Sequence, residues 1–597
     1  MADQLGSGEK AQQTDLRQTR TADSPAVVTE QTGNGSNRRS TFLGMLPALP
    51  VMAWVLLFLL APMAIMAVFS FWRYHDFGLL PVWNLNNYHK VFANAVYMRV
   101  MARTLEISVL VTLGCILLAY PFAYFLARCV TRWRGALIIL VLIPFWTSFL
   151  IRTYAWMSIL ARNGVINWGL RWLGLVQAPI QLLYTVGAVI VAAIYLYLPF
   201  GVLSIYTSLE KISPSLEEAA KDLGAGPWVT FRRVTFPLSI AGVQAAVVFI
   251  FVPTLGLFIT PALLGGANGI MIGNLQVTIF KSALDFALGS ALSFVVLAIA
   301  LIVVALFGRS VDLEKVYAGG VGQRGQKAHS IGRKGIGIFR LYGLAVFLFL
   351  FLPVALLILF SFNTSAGGAF PPPGYTLRWY KDALGDPWLM ASVGNSLMVA
   401  VMAAIVSVAL SAPGAYAIVR YRFPGRTLLR QALIIPLIIP SIMLGFGLLL
   451  LFNALGIEPS ITTILIGHVT YVLPYAFFVI AAQQYGFDKS LEEAAMDLGA
   501  NRLKTFWYVT LPLMVPGLIA AGLFSFTLSL DEFIITFLVS GTTQTLPLYV
   551  WGMLRTIVSP TVNAVATMIV FFSFVFIAAF LVAQALLGRR SSGVERG

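Results

Sequence analysis

From about residue 45 to the late 580s the chain alternates apolar runs of roughly 20 residues with short polar segments, a run of that length being what a helix needs to cross about 30 Å of hydrocarbon. Twelve runs can be marked, six and six. In the first half they lie near 45–71, 100–127, 135–158, 181–208, 239–262 and 284–308. In the second they lie near 341–362, 391–419, 429–454, 462–483, 514–538 and 562–587. The expected fold class is an all-α integral membrane protein of about twelve transmembrane helices, built as two homologous six-helix halves.

The polar segments carry the strongest internal signal. Ser215 to Ala225 returns almost letter for letter as Ser490 to Ala500, 275 positions later (217 to 492). Further pairs mark the same duplication: Pro62 and Ser70 with Pro353 and Ser361, Tyr88 with Tyr380, and Pro121, Arg128 and Pro144 with Pro413, Arg420 and Pro436. Within the first cassette Leu216, Ala219, Ala220 and Leu223 fall at helical spacing on one face, while Glu217, Lys221 and Asp222 point elsewhere. Ser215 with Glu218, and Ser490 with Glu493, have the spacing of a capping box. Gly224 and Gly499 stand where a left-handed helix terminus is wanted. An apolar, small-residue face on a solvent-side segment marks a partner site, and two such faces imply a two-fold partner.

Composition fixes the solvent. Hydrophobic residues make up 59% and charged residues 11%, with a mean hydropathy of +0.85, values of a bilayer protein. The net charge of +16 follows from basic anchors in alternate loops, such as Arg128 to Arg134, Arg309 to Arg340 and Arg420 to Arg430. By the positive-inside rule these loops, both cassettes and both termini face the cytoplasm. No basic stripe with interleaved aromatics suggests nucleic acid. Residues 1–42 read as a disordered cytoplasmic tail without the apolar core of a cleavable signal. The remaining divisions are 43–308 for the first half, 309–340 for a Gly- and Lys/Arg-containing linker, 341–587 for the second half and 588–597 for a C-terminal tail. Cys115 and Cys129 give neither a disulfide framework nor a metal pattern, so no metal and no cofactor are expected.

The run Glu218-Ala219-Ala220, Gly224, Val234 and Phe236-Pro237, with its twin Glu493-Ala494-Ala495, Gly499, Val509 and Leu511-Pro512, resembles the "EAA" loop of permease subunits in binding-protein-dependent ABC importers. Phe236 departs from the usual Leu. The resemblance implies a type I importer permease fold, with Glu218, Ala219, Ala220, Gly224, Glu493, Ala494, Ala495 and Gly499 docking on a separate cytoplasmic ATP-binding homodimer. It also implies a periplasmic or surface solute-binding protein and a bacterial inner-membrane location.

The resemblance narrows further. Ile143 to Thr147 with Leu150 to Tyr154, Leu263 to Gly266 and Ile272 to Asn274 are similar to the first permease of spermidine/putrescine importers. Phe370 to Pro372, Leu377 to Tyr380, Ser525 to Glu532 and Ser559 to Ala564 are similar to the second. The solute implied is a small cation of the polyamine class, with an opine, a phosphonate or ferric ion as alternatives. The family generally uses two separate chains, so fusion is the departure.

Asp531 and Glu532 lie in the otherwise apolar eleventh run, where ionisable groups are costly enough to suggest a polar pathway or a partner. Their first-half counterparts are Gly256 and Leu257. A one-sided acidic wall would favour an ammonium-bearing solute; the alternative is that Asp531 pairs with an arginine or caps a broken helix. Glu106 with Arg103 is read as a structural ion pair, and His468 as a hydrogen-bonded core residue. Gly320 to Lys327 only approaches a phosphate-binding loop, with Gln326 where Lys is required. No catalytic constellation is present, so the chain is read as a transport subunit rather than an enzyme. The runner-up is a proton-coupled secondary transporter, which would need titratable groups at related depths in both halves.

Overall fold

The computed structural model describes residues 45–75, 78–130, 133–308, 333–365, 370–556, 560–572 and 574–575. The expected tails at 1–42 and 588–597, most of the linker and the last part of the twelfth run lie outside them. Among the described residues nine helices are long and apolar enough to cross a bilayer: Leu46–Ser70, Ala95–Cys129, Val186–Glu210, Pro227–Leu255, Phe286–Phe307, Gly337–Ser361, Pro387–Arg420, Ile461–Tyr485 and Arg502–Asp531. A shorter apolar helix, Pro560–Phe572, occupies the start of the twelfth run.

Two of the expected spans are not single helices. The ninth is a pair, Arg426–Ile438 and Ser441–Ala454, bent by 111°. Pro440 excludes the helical region for the residue before it, so Ile439 is extended (ψ 133°) and the helix restarts at Ser441. The third span breaks at the matching place, between the turn Ile143–Trp146 and the helix Phe149–Leu160, with Thr147 and Ser148 extended. The fifth and eleventh spans start earlier than the apolar pattern indicates and stop at Leu255 and Asp531. Each is followed by a short helix, Ile259–Leu264 and Ile534–Val539. Irregular backbone at membrane depth is tolerated only where protein satisfies its polar groups, which makes these four breaks the places to look for a site.

The halves interlock. Leu46–Ser70 packs on Phe286–Phe307 of its own half and also on Ser441–Ala454 and Pro387–Arg420 of the other, while Gly337–Ser361 lies on Phe149–Leu160 and Ala95–Tyr124. Trp54 Nε1 donates to Thr470 Oγ1 at 3.2 Å, and Tyr342 Oη to the Leu118 carbonyl at 2.8 Å, both across the halves. At Gly414 an added Cβ would sit 2.5 Å from Val51 Cγ1, so absence of a side chain permits this crossing. One core runs through both halves.

The duplication is visible in hydrogen bonds. Tyr88 Oη donates to Ser70 Oγ at 2.9 Å, and Tyr380 and Ser361 repeat the pair at 2.6 Å. The Ile272 N–H donates to Thr104 Oγ1, and the Leu546 N–H to Ser396 Oγ. Arg103 donates to the Asn268 carbonyl, as Asn395 does to that of Gln544. The expected Arg103–Glu106 pair gives way to this loop contact. A short hairpin, Arg73–His75 with Gly78–Leu80, is an addition to the all-helical expectation.

Candidate functional site

The two cassettes form short helices, Pro214–Asp222 and Ser490–Asp497. Both end as the sequence suggests. Gly224 and Gly499 are left-handed (φ +80° and +88°), and each closes a Schellman turn. Gly224 N–H donates to the Lys221 carbonyl and Ala225 N–H to that of Ala220, with Gly499 to Met496 and Ala500 to Ala495 in the second.

Their starts differ from expectation. The first helix begins two residues early, with Pro214 at its first position and Ser213 at the cap, and Ser215 Oγ turns to Ser213 Oγ at 2.7 Å instead of capping. The second is capped by Asp488, which accepts the Ser490 N–H at 3.0 Å. This hydrogen bond holds the Asp488 carboxyl below the usual carboxylate range. Neither Ser215–Glu218 nor Ser490–Glu493 forms a capping box. Glu493 is exposed and pairs with Lys489 at 2.9 Å.

The residue facing inward is the one before each of these glutamates. Glu217 is 5% exposed and accepts from Arg128 Nε and from Thr235 Oγ1, both at 3.1 Å. Glu492 repeats the arrangement with an ion pair in place of the first hydrogen bond: Arg420 Nε lies 3.3 Å from its Oε2, and Thr510 Oγ1 donates to the carboxylate at 3.0 Å. The Arg128–Arg420 match was legible as a repeat mark, but its pairing with the cassette glutamates was not, because helical spacing turned Glu217 away from the apolar face without saying what it met. The threonines are aimed by π-helical turns at Phe231–Thr235 and Phe506–Thr510. Pro237 and Pro512 have no N–H for the carbonyl four residues back, and the helix opens to an i→i−5 turn beside them.

The other face stays uncovered. Ala219 and Ala494 are exposed, Ala220 and Ala495 half-buried, and Leu223 and Leu498 are 88% and 90% exposed. Trp228 extends this surface in the first half; Leu503, Trp507 and Tyr508 do so in the second.

The second candidate region is the junction of broken helices. Asp531 ends its long helix and accepts the Phe149 N–H at 2.8 Å, so it caps the restarted half of the third span across the two halves. The buried Arg152, one turn further on, interacts electrostatically with it. Glu532 is buried and accepts the Ile535 N–H at 2.7 Å, capping its own short helix. The structure therefore gives both carboxylates the capping role that was the alternative to an acidic wall. Glu532 is 7% exposed, and Asp531 keeps partial exposure. A cavity of 20 Å³, about one water, lies alongside, against Ser148, Ile151 and Leu530. His468 sits in the core between Ser529 Oγ and Thr536 Oγ1, at 2.7 Å from each. No group of three or more His, Cys, Asp or Glu is placed to hold a metal among the described residues.

Residues 408–593 match the family described as binding-protein-dependent transport system inner membrane component. Over 244 residues the chain is 36% identical to the spermidine/putrescine transport system permease protein PotB of Escherichia coli (strain K12), covering 41% of this chain and 88% of that protein. The chain is a permease of this family. It is also 39% identical over 231 residues to the putrescine transport system permease protein PotI of the same strain, covering 37% of this chain and 82% of that protein. A solved bacterial alginate ABC transporter, in complex with an alginate pentasaccharide-bound periplasmic protein, is 20% identical with a TM-score of 0.39, over 45% of this chain and 94% of that one. Because 244 residues account for most of PotB, one such permease fills less than half of this chain. With the internal repeat, the permease is two family units fused in one polypeptide.

Proposed function

We propose that this fused permease forms the translocation pathway for a polyamine-like cation and is driven by a separate ATPase gripping both cassettes. The single observation that carries the coupling role is the pair of uncovered apolar faces, each on a helix held from behind by a buried Arg–Glu–Thr triad. A helix so fixed transmits a push to the long spans instead of bending under it. The polyamine assignment rests on the likeness to PotB and PotI. Of the acidic pair, Asp531 is the residue left to meet a cation, since Glu532 is buried in its own cap.

In this reading a periplasmic or surface solute-binding protein delivers the solute, the ATPase homodimer closes on ATP, and the cassettes turn the pathway outward. The bilayer is the bacterial inner membrane, with both termini in the cytoplasm. The divisions at 43–308, 309–340 and 341–587 are the two permease units and their connection. The decisive experiment is uptake of labelled spermidine or putrescine into proteoliposomes holding the permease, its ATPase and its binding protein. Uptake that needs all three and ATP is expected. Uptake persisting without the ATPase would instead favour a proton-coupled secondary transporter, and ATP-driven uptake of only neutral or anionic solutes would remove the polyamine assignment.

A further inference from the structure

The junction at Asp531 has a counterpart in the other half, and the two are built from opposite chemistry. By the repeat, Asp531 corresponds to Gly256, Ser148 to Pro440 and Arg152 to Leu444. On the second-half side Gly256 packs directly on Pro440: a Cβ added to the glycine would lie 2.5 Å from Pro440 Cβ. That contact is dry and has no charge. On the first-half side the same two elements meet through a carboxylate, a helix N-terminus and a guanidinium. Arg152 is only 4% exposed, with its guanidinium carbon 5.8 Å from the Phe149 ring centroid and Tyr195 and Tyr197 among its electrostatic neighbours. Asp531 is the carboxylate acting on it.

A charge pair at this depth is costly to keep. Local folding does not require it, because the duplicate junction closes with Gly256, Pro440 and Ile442, none of them charged. The long helix from Arg502 to Asp531 has 30 residues, about 45 Å at ~1.5 Å per residue, so Asp531 stands at the end remote from the cassettes.

We propose that Arg152 is a positioning residue that acts through Asp531, clasping the restarted third span of the first half to the fifth span of the second at the outer end of the pathway. The Gly256–Pro440 contact serves as the apolar pivot on the other side. Opening the outer end parts the clasp and leaves the pivot in contact. Removing one charge leaves its partner buried and uncompensated, which disfavours the clasped state by an amount far above thermal energy. Removing both together leaves that state close to its original weight. This rests on the reading of the chain as an ATP-driven importer.

The test uses the full complex in proteoliposomes. Arg152→Met and Asp531→Asn should each raise ATP hydrolysis in the absence of binding protein by about fivefold or more and lower solute taken up per ATP, because the resting state no longer holds. The double variant Arg152→Met with Asp531→Asn carries neither charge, keeps an amide oxygen for the Phe149 N–H, and should return both quantities to within about twofold of wild type. A merely structural role would lower hydrolysis and uptake together. Unchanged basal hydrolysis in the single variants, or a double variant as uncoupled as the singles, overturns the clasp. So does a raised half-saturating spermidine concentration with normal basal hydrolysis, which leaves Asp531 its contact with the solute and no part in a clasp. Should the single variants fail to co-purify with the ATPase, recovery of assembly in the double supports the clasp, and failure of all three overturns it. An absence of ATP-driven uptake in the wild type would be a failure of the importer reading, visible before any variant is compared.

Discussion

At the scale of the residue, two adjacent glutamates in each cassette have unequal weight. Glu217 and Glu492 are buried against arginines, so replacing either with Ala strands a guanidinium in the interior, at about 3–5 kcal/mol. The expected result for Glu217→Ala is a lowered thermal midpoint and weaker co-purification with the ATPase. Glu493→Gln, at an exposed pair worth well under 1 kcal/mol, should leave the midpoint where it is. Equal midpoints for the two variants would remove the buried triad as the cassette's support. His468 offers an independent check. Its ring joins Ser529 and Thr536, and His468→Ala leaves both hydroxyls buried without it, a cost of about 1–3 kcal/mol for each one left unsatisfied. That loss should appear in the thermal midpoint with no change in ATPase binding.

At the scale of the element, the cassette helices are short and depend on their ends. Gly224 and Gly499 have open space where a Cβ would point, so Gly→Ala at either meets only backbone strain, about 1–2 kcal/mol for a left-handed residue. The exposed apolar face proposed to dock can be probed without touching that geometry. Ala220→Asp with Ala495→Asp should abolish ATPase co-purification and ATP-driven uptake while the chain still inserts, since a charge in a dry contact is costly. Retention of both activities would refute the docking assignment. The caps of the two cassettes also differ in pH response. Hydrogen bonding holds the Asp488 carboxyl below its ordinary value, so its contribution to the second helix is complete above the usual carboxylate range and fades as pH falls through the lowered value. The first helix starts on Pro214 and has no carboxylate at its cap. Asp488→Asn should therefore flatten the acid-side decline in ATPase binding measured by co-purification across pH.

At the scale of the whole molecule, the crossing of first spans makes each half incomplete without the other. Leu46–Ser70 covers second-half helices and Gly337–Ser361 covers first-half ones, so each half alone would present the faces they cover to lipid or to aggregation. Expressing the two sides of a cut between Gly319 and Gly320 as separate chains should give a complex when they are made together and poor yield when either is made alone. Stable, separately purifiable halves would contradict the interlock.

The apolar runs, the duplication, the glycine-ended cassettes and the uncovered apolar face of each cassette were all readable along the chain. Each depends on local spacing or on transfer of side chains out of water. His468 could be placed in the core because a lone imidazole in an apolar run must find partners. What the pattern missed required knowing which segments meet. Hydropathy averages over a break, so Pro440 and the Thr147–Ser148 step vanish inside runs long enough to be helices. Two acidic residues in an apolar run look like a wall until a distant backbone N–H, that of Phe149, is found bound to one of them. Glu217 and Arg128 are 89 positions apart, and nothing local to either names the other. The sequence by itself determined where the chain would leave water and which segments were copies. Only the tertiary structure decided which carboxylates support helices and which stay exposed, because that depends on what lies beside each one once two interlocked halves have closed.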